Sequence, residues 1–190
     1  MRELKSIEEK ILDRALYLIG KDRSLNISVR AISKEAGVNV SAINYYFRTK
    51  EEMLRQAKEL YILNTLSITD ILENEELGLE EKLLAAANEI MEYIIRYPGI
   101  DVLLRDARGK EDETSIRILK VSEEMAEGLN RILDMLLKGT KNIHYKHMIF
   151  WSAINYPVED NPILKCSTAL LNDKAARMEY IQQLLTMLRS

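Results

Sequence analysis

Residues that bend, stiffen or cross-link a chain are scarce in this sequence. Its 190 residues include one cysteine, three prolines and seven glycines. A disulfide within the chain needs two cysteines, so Cys166 is expected to be a packing residue in a protein of a reducing compartment. A sheet of many short strands needs more turn-forming residues than these. The sequence therefore predicts an all-α fold.

Long hydrophobic segments are also missing. No apolar run reaches the about 18 residues that a membrane span requires. The first ten residues lack the apolar segment of a signal peptide. From these absences we expect a cytoplasmic protein with no membrane partner.

Charge of one sign does not dominate the chain, but it is unevenly distributed. The formal net charge is −3. Residues 1–50 carry 10 Lys and Arg against 6 Asp and Glu, which is +4, and residues 51–190 carry 17 against 24, which is −7. Positive charge at one end favours DNA binding there, whereas a protein that coats nucleic acid without preference is expected to be basic throughout. A small excess of either sign is also ordinary surface variation.

Residues 28–50 have the pattern of two short helices that meet at a tight turn. In the first helix, Val29, Ile32 and Ala36 recur at intervals of three and four, as one buried face requires. Ser28 stands just before them, where a helix N-cap is expected. The spacing predicts a helix that begins near Ser28 and ends near Ala36.

The second helix of this pair follows after about three residues. Gly37 suits the left-handed backbone that ends a helix, and Asn39 is placed to cap the next one. Val40, Ile43 and Phe47 again recur at three and four, so we expect all three to face the core. The pattern indicates a helix-turn-helix motif.

The opposite face of the second helix carries small, polar and aromatic residues rather than charged ones. Ser41, Ala42 and Tyr45 are expected to point outward. Asn44 can form the paired hydrogen bonds that adenine offers, and tyrosine hydroxyls can reach phosphate oxygens. Positive charge follows at Arg48 and Lys50. We interpret this face as a DNA-reading surface, the alternative being a helical hairpin with a solvated polar face.

The segment from about residue 11 to residue 57 resembles the DNA-binding domain of TetR/AcrR-family transcriptional regulators. The matching stretches are residues 11–16, 29–38 and 43–51. The family positions that commonly touch DNA correspond here to Val29, Arg30, Asn39, Ser41, Tyr45, Tyr46 and Lys50. Two features depart from the family pattern: Asn44 stands where tyrosine is more usual, and the loop of residues 20–26 replaces a glycine-then-threonine approach to the second helix. The operator sequence is therefore unpredictable.

The resemblance also implies an architecture and a function. It implies a three-helix DNA-binding domain in residues 1–49, followed by a larger helical ligand-binding and dimerisation domain in residues 50–190. It implies binding to a double-stranded DNA operator, usually with repression that a small-molecule effector relieves. Two recognition helices one DNA turn apart would read a near-palindrome, so a homodimer is expected.

Periodicity and breakers divide the remaining chain into further predicted helices. They span residues 50–72, 79–95, 100–107, 114–137, 142–155 and 173–188, with a loop at 157–167. By the resemblance, the last two helices pair with their copies in a four-helix bundle. That pairing is expected to bury the following apolar residues: Met148, Ile149, Leu184, Leu185 and Leu188.

An effector site requires a largely apolar cavity with a few polar groups. The candidate contacts are Met91, Tyr93, Arg105, Met125, Trp151 and Tyr156. Because aromatic residues and methionines also fill helical cores, ordinary core or surface packing is the favoured explanation of any one of these residues taken alone. The chain offers no obvious basic cluster for a phosphate-rich ligand, so an apolar or amphipathic effector is expected.

Catalytic and metal-binding functions find little support in the sequence. His144 and His147 lie three residues apart on a predicted helix, and Glu123, Glu124 and Glu127 form an acidic patch, but neither set has a convincing third ligand. No Gly-rich phosphate loop or nucleophile elbow is present. We predict no enzyme activity, no metal and no cofactor. The alternative to a DNA-binding regulator is a helical protein-binding adaptor or a metal-binding protein.

Overall fold

A computed structural model describes residues 6–155 and 168–190, and these residues form helices without strands. The helices are α1 (Ile7–Asp22), α2 (Val29–Ala36), α3 (Val40–Tyr46), α4 (Lys50–Glu73), α5 (Leu79–Arg96), α6 (Asp101–Ala107), α7 (Glu113–Leu136), α8 (Ile143–Asn155) and α9 (Lys174–Arg189), with a 3₁₀ helix (Thr168–Asn172) before the last. The predicted all-α class is confirmed. The loop predicted at 157–167, with Cys166, lies outside the described residues.

Side-chain caps start several of the helices near the predicted positions. A capping oxygen accepts a hydrogen bond from a backbone N–H of the first turn, which otherwise has no partner within the helix. Ser28 Oγ accepts from the N–H of Ala31 at 3.1 Å, and Thr49 Oγ1 accepts from the N–H of Glu52 at 3.1 Å. Asp173 does the same for Ala176. Local sequence therefore sets these boundaries.

The chain divides into two compact units. The first unit comprises residues 6–65 and 97–122, and the second comprises residues 66–96 with the described part of 123–190. These units describe packing, whereas the boundary predicted between residues 49 and 50 concerns function and stays a prediction.

In the first unit, α1 includes the first three residues of the loop that was predicted at 20–26, and it ends at Asp22. Arg23 takes a left-handed backbone, with φ of 47°, and closes the helix. Its N–H donates to the carbonyl of Gly20 at 3.1 Å, and the N–H of Ser24 donates to that of Ile19 at 3.1 Å. Because these bonds satisfy the last carbonyls, the helix includes Gly20 and ends at Asp22.

A close backbone contact joins α1 to the turn between α5 and α6. A Cβ atom built on Gly20 would lie 2.5 Å from the carbonyl oxygen of Pro98, and one built on Gly99 would lie 2.5 Å from the carbonyl oxygen of Gly20. Beside this contact, the buried Tyr97 hydroxyl donates to the buried carboxylate of Asp13. The turn is thereby fixed against α1.

A buried lysine links α4 to α6 and α7 in the same unit. Lys58 Nζ donates to Asp106 Oδ2 at 3.0 Å and to Ser115 Oγ at 3.2 Å. Burial raises the pKa of Asp106, but hydrogen bonds from Lys110 and Lys58 outweigh it and hold this pKa below the ordinary 3.8. The Asp106 carboxylate is therefore ionised at neutral pH and gives the buried Lys58 side chain a charged hydrogen-bond partner.

The second unit has its own hydrophobic core, in which α5, α8 and α9 pack with the adjoining parts of α4 and α7. Leu184, Leu185 and Leu188 are buried in this core. The expectation that a second subunit covers these three leucines is therefore wrong, because the chain's own helices already cover them. Met148 and Ile149 are exposed, as a partner contact requires.

Within the residues that the structure describes, every helix is too short or too polar to cross a membrane.

Candidate nucleic-acid interface

The turn between α2 and α3 is built from backbone hydrogen bonds and one glycine. The N–H of Gly37 donates to the carbonyl of Lys34 at 3.3 Å, and the N–H of Val38 donates to that of Ser33 at 3.0 Å. Gly37 has a φ of 66°, in the left-handed region that glycine adopts without a steric penalty. The predicted turn residue thus brings α2 and α3 together.

Asn39 then starts α3 with a double contact. Its Oδ1 accepts from the N–H of Ala42 at 2.7 Å and from the hydroxyl of Ser41 at 3.0 Å. Both predicted DNA-contact side chains, Asn39 and Ser41, are therefore exposed but partly engaged in capping the helix.

Two apolar residues anchor α3 in the first unit. Ile43 and Phe47 are each 2% exposed, as the periodicity predicted. Val40, predicted to share that buried face, is instead 38% exposed. It is the first residue of α3, so no earlier turn of that helix flanks it, and the core prediction for Val40 is wrong.

The outward face of α3 is polar and aromatic. Tyr45 is 82% exposed, and Asn44 is exposed with no side-chain hydrogen bond among the described residues. Tyr46 is exposed at the edge of this face, and its ring meets that of Tyr45 edge-on at 5.2 Å between centroids. Ala42 was predicted to point outward, but it is half-buried rather than exposed. This face can present hydrogen-bonding groups to a macromolecular surface.

Cationic side chains flank the face. Arg30 on α2 and Arg48 after α3 are exposed, and Val29 at the start of α2 is half-buried. Lys50 is half-buried, and its Nζ donates to Asn26 Oδ1 at 3.1 Å. No local pattern predicts this bond, because its partners lie 24 residues apart.

The predicted effector contacts are not gathered at one surface. Met91 and Tyr93 are buried in the second unit, where Met125 and Trp151 are half-buried against the core. Trp151 Nε1 donates to Asn130 Oδ1 at 2.8 Å. The remaining two candidates differ from these: Arg105 belongs to the first unit and pairs with Asp101 on its own helix, and Tyr156 lies outside the described residues.

An open cleft of about 530 Å³ lies in the second unit. None of the predicted effector contacts lines it. Its apolar lining comes from Leu72, Leu79, Ile132 and Met135, and charged groups at its edge include Lys82, Glu127 and Arg131. Sequence periodicity did not single out this cleft, because its walls combine residues from three separate helices, α4, α5 and α7.

The two histidines do not converge on a shared ligand. His144 is exposed, and His147 Nε2 lies 2.9 Å from Asp134 Oδ1. In residues 6–155 and 168–190, no group of three His, Cys, Asp or Glu side chains has an arrangement that could hold a metal ion.

The geometry of α1, α2 and α3 has counterparts among known proteins. Residues 11–57 match the family model described as bacterial regulatory proteins, tetR family. A search of curated protein sequences gave no match.

Solved structures extend the likeness along the chain. A TetR-family transcriptional regulator from Bordetella parapertussis matches with a TM-score of 0.64 at 16% identity, over 95% of each chain. The TetR family regulator PfmR from Thermus thermophilus matches with a TM-score of 0.60 at 17% identity, over 93% of this chain and 97% of that one. FadR from Bacillus subtilis, in complex with stearoyl-CoA, matches with a TM-score of 0.53 at 19% identity, over 95% of this chain and 97% of that one.

These matches confirm the resemblance seen in the sequence and give no support to an adaptor or a metal-binding protein. At these identities the solved structures establish the fold, and the family model covers the DNA-binding segment. Both lead to the same conclusion: residues 11–57 match the tetR family of bacterial regulatory proteins, and the chain has the fold of TetR-family transcriptional regulators.

Proposed function

We propose that the chain is a repressor that binds a near-palindromic operator as a homodimer and leaves it when a small apolar or amphipathic molecule binds. The observation that carries the proposal is the surface of α3, where Asn44 and Tyr45 are exposed while Ile43 and Phe47 hold the helix in place. A major groove about 12 Å wide admits a helix of this kind. Exposed Arg48 supplies a cation for the adjoining phosphates.

The surface of α8 and α9 supports a homodimer. Tyr145, Met148 and Ile149 on α8 and Met187 on α9 are large, apolar and exposed. The two helices pack on each other, since Lys146 Nζ on α8 donates to the carbonyl of Leu188 on α9 at 2.5 Å. An exposed apolar face on adjoining helices suits a two-fold contact with a second copy, which would pair two α3 helices on one operator.

The second unit and one structural neighbour support an apolar or amphipathic effector. FadR from Bacillus subtilis, which shares this fold, was solved with stearoyl-CoA. The stearoyl chain of that ligand is apolar, which agrees with the effector expected from the sequence, whereas its coenzyme A part is phosphate-rich. We place effector binding in the second unit, whose large apolar core contains Met91 and adjoins Met125 and Trp151.

Selection from a randomised duplex pool at moderate salt tests DNA binding. We expect a near-palindrome to be enriched, with an affinity that falls as salt rises. Tyr45→Ala and Lys50→Ala are expected to weaken binding, whereas Ile116→Ala, at an exposed site on α7, should bind as the wild type does. The proposal would be overturned if no sequence were enriched, or if neither Tyr45→Ala nor Lys50→Ala changed the affinity.

The enriched duplex then allows a test of the effector class. Stearoyl-CoA, free stearate and coenzyme A alone are titrated into the complex of protein and duplex. Release by the first two but not by coenzyme A supports an apolar or amphipathic effector. If none of them releases the duplex, an acyl effector is contradicted. The proposal of DNA binding is tested separately, by the salt dependence of the affinity in the same sample.

A further inference from the structure

The structure separates the polar groups near α3 into engaged and unengaged ones. Asn39 Oδ1 and the Ser41 hydroxyl are held in the helix cap, and Lys50 Nζ is held by Asn26. Asn44 is exposed, and its amide makes no hydrogen bond within the described residues. Its donor and its acceptor are therefore both open to a base, which makes Asn44 the side chain on α3 best prepared for bidentate recognition.

Val40 lies beside Asn44 on the same face of the helix. The two residues are four apart, which places them next to each other with about 5–6 Å between their Cβ atoms. Val40 is 38% exposed and its methyl groups are open to contact. An apolar side chain and an amide thus lie next to each other as one patch on the exposed face of α3, Val40 at its first residue and Asn44 at its fifth.

The chemistry of this patch matches one kind of base step. Asparagine pairs with the N6 and N7 atoms of adenine in the major groove, and an aliphatic side chain packs against the C5-methyl of thymine. Bases along one strand are about 3.4 Å apart, so residues in adjacent positions of a helix face reach the same or neighbouring base pairs. Neither side chain carries a charge that would prefer phosphate.

We propose that Val40 and Asn44 together select A·T pairs in each operator half-site, Asn44 by reading an adenine and Val40 by packing on the methyl group of a thymine in a neighbouring base pair. This inference rests on the proposed function and assigns its sequence specificity. Tyr45 and Arg48, which border the patch, then serve the backbone, so their contribution to affinity does not depend on base identity.

Modified bases in the selected duplex test each contact separately. Replacing the adenine by 7-deazaadenine removes the N7 acceptor, and the wild type is expected to lose about 2- to 12-fold in affinity, the range for one hydrogen bond. Replacing the thymine by deoxyuridine removes only the methyl group, with an expected loss of about 4-fold for one methyl contact. Both duplexes keep their Watson–Crick pairing.

Protein variants complete the comparison. Asn44→Ala is expected to bind the 7-deazaadenine duplex as tightly as the unmodified one, and to lose affinity on the deoxyuridine duplex. Val40→Ala is expected to lose affinity on the 7-deazaadenine duplex but not on the deoxyuridine duplex. Arg48→Ala should bind every duplex more weakly and respond to both modified bases as the wild type does. Ile116→Ala, which replaces a comparably exposed apolar residue on α7, controls for a general effect of losing surface methyl groups. Circular dichroism verifies that each variant is folded.

The outcomes separate this inference from the function on which it rests. If the wild type and Asn44→Ala lose equally on 7-deazaadenine, or the wild type and Val40→Ala lose equally on deoxyuridine, the corresponding contact is overturned. A selected half-site without an adenine and a thymine in neighbouring base pairs overturns the inference while leaving the regulator function standing. Failure to enrich any duplex overturns both.

Discussion

Replacing Gly20 by alanine is expected to destabilise the protein, although alanine is the better helix former. The gain from helix propensity is about 0.8–1.0 kcal/mol at most. Against it stands the Cβ atom, which would lie 2.5 Å from the carbonyl oxygen of Pro98. A backbone atom cannot rotate away as a side chain can, so α1 or the turn that contains Pro98 has to move.

The size of the effect follows from these two opposing contributions. Overpacking of a tight contact costs about 1–3 kcal/mol, and a backbone obstacle belongs in the upper half of that range. After the propensity gain is subtracted, the net loss is about 1–2 kcal/mol. For a protein of this size, that lowers Tm by about 2–8 °C.

Gly128→Ala on α7 is the matched control, and it should have the opposite sign. The nearest obstacle to a Cβ atom there is Leu72 Cδ1 at 3.2 Å, a methyl group on a side chain. Leu72 borders the open cleft of the second unit and can shift into it. The propensity gain then prevails, and Tm should rise by up to about 4 °C.

Thermal unfolding followed by circular dichroism or calorimetry measures both variants under the same conditions. If Gly20→Ala had the same Tm as Gly128→Ala, the reasoning would be refuted. That result would show that α1 and the turn at Pro98 move apart without a loss of stability.

Three further substitutions probe other contacts. Tyr97→Phe leaves the buried Asp13 without one donor and should cost about 1–3 kcal/mol in urea-induced unfolding. Asp106→Asn should make the free energy of unfolding fall less steeply as the pH is lowered. Folding lowers the pKa of Asp106, so its ionised form stabilises the protein above pH 3.8, and this stabilisation is lost as the pH falls through the folded-state pKa. Met148→Glu should convert the proposed dimer to monomer in analytical ultracentrifugation, since it places a charge on the exposed apolar face of α8.

Each of these has a control or a contradicting result. Tyr17→Phe, on the same helix as Asp13, should leave stability unchanged. An equally steep fall of the free energy of unfolding with pH in Asp106→Asn would show that other carboxylates dominate it. If Met148→Glu sediments like the wild type, the proposed dimer face is in the wrong place.

Helix positions were accessible from the sequence because the signals that set them are local. Ser28, Asn39 and Asp173 cap α2, α3 and α9 through atoms only three residues away. The buried and exposed faces of α2 and α3 followed from the same spacing for most residues. A capping side chain and a periodic apolar face need no knowledge of the rest of the fold.

Predictions failed where the position of a residue within its helix, or a contact distant in sequence, decides the outcome. Periodicity placed Val40 in the core, but the start of a helix lacks a preceding turn and the side chain stays exposed. The continuation of α1 through Gly20 accompanies a contact with Pro98, which no local pattern reveals. Leu184, Leu185 and Leu188 were assigned to a dimer contact by the family resemblance, and apolar spacing alone cannot tell a subunit's own core from a surface that a partner covers.

The candidate site shows the same division. Exposure of Asn44 and Tyr45 could be read from helix geometry. Which side chains are held by other hydrogen bonds could not be read in this way. Asn26 precedes α2 and Lys50 follows α3, so the hydrogen bond between them joins residues 24 positions apart. Which side chains remain open to DNA is thus a property of the folded chain.

The contact of α1 with the turn after α5 also bears on events at the ribosome. Asp13 and its hydrogen-bond donor Tyr97 are separated by 84 residues of sequence. During synthesis, α1, α2 and α3 therefore emerge well before the segment that covers the Asp13 carboxylate and the flank of Gly20. A nascent chain that stalls within α5 carries α3 but lacks the contacts of Asp13 and Gly20 with residues 97–99. Under the proposed function, we expect operator binding to be acquired only after residue 97 has left the exit tunnel, and prematurely terminated chains to compete poorly for the operator.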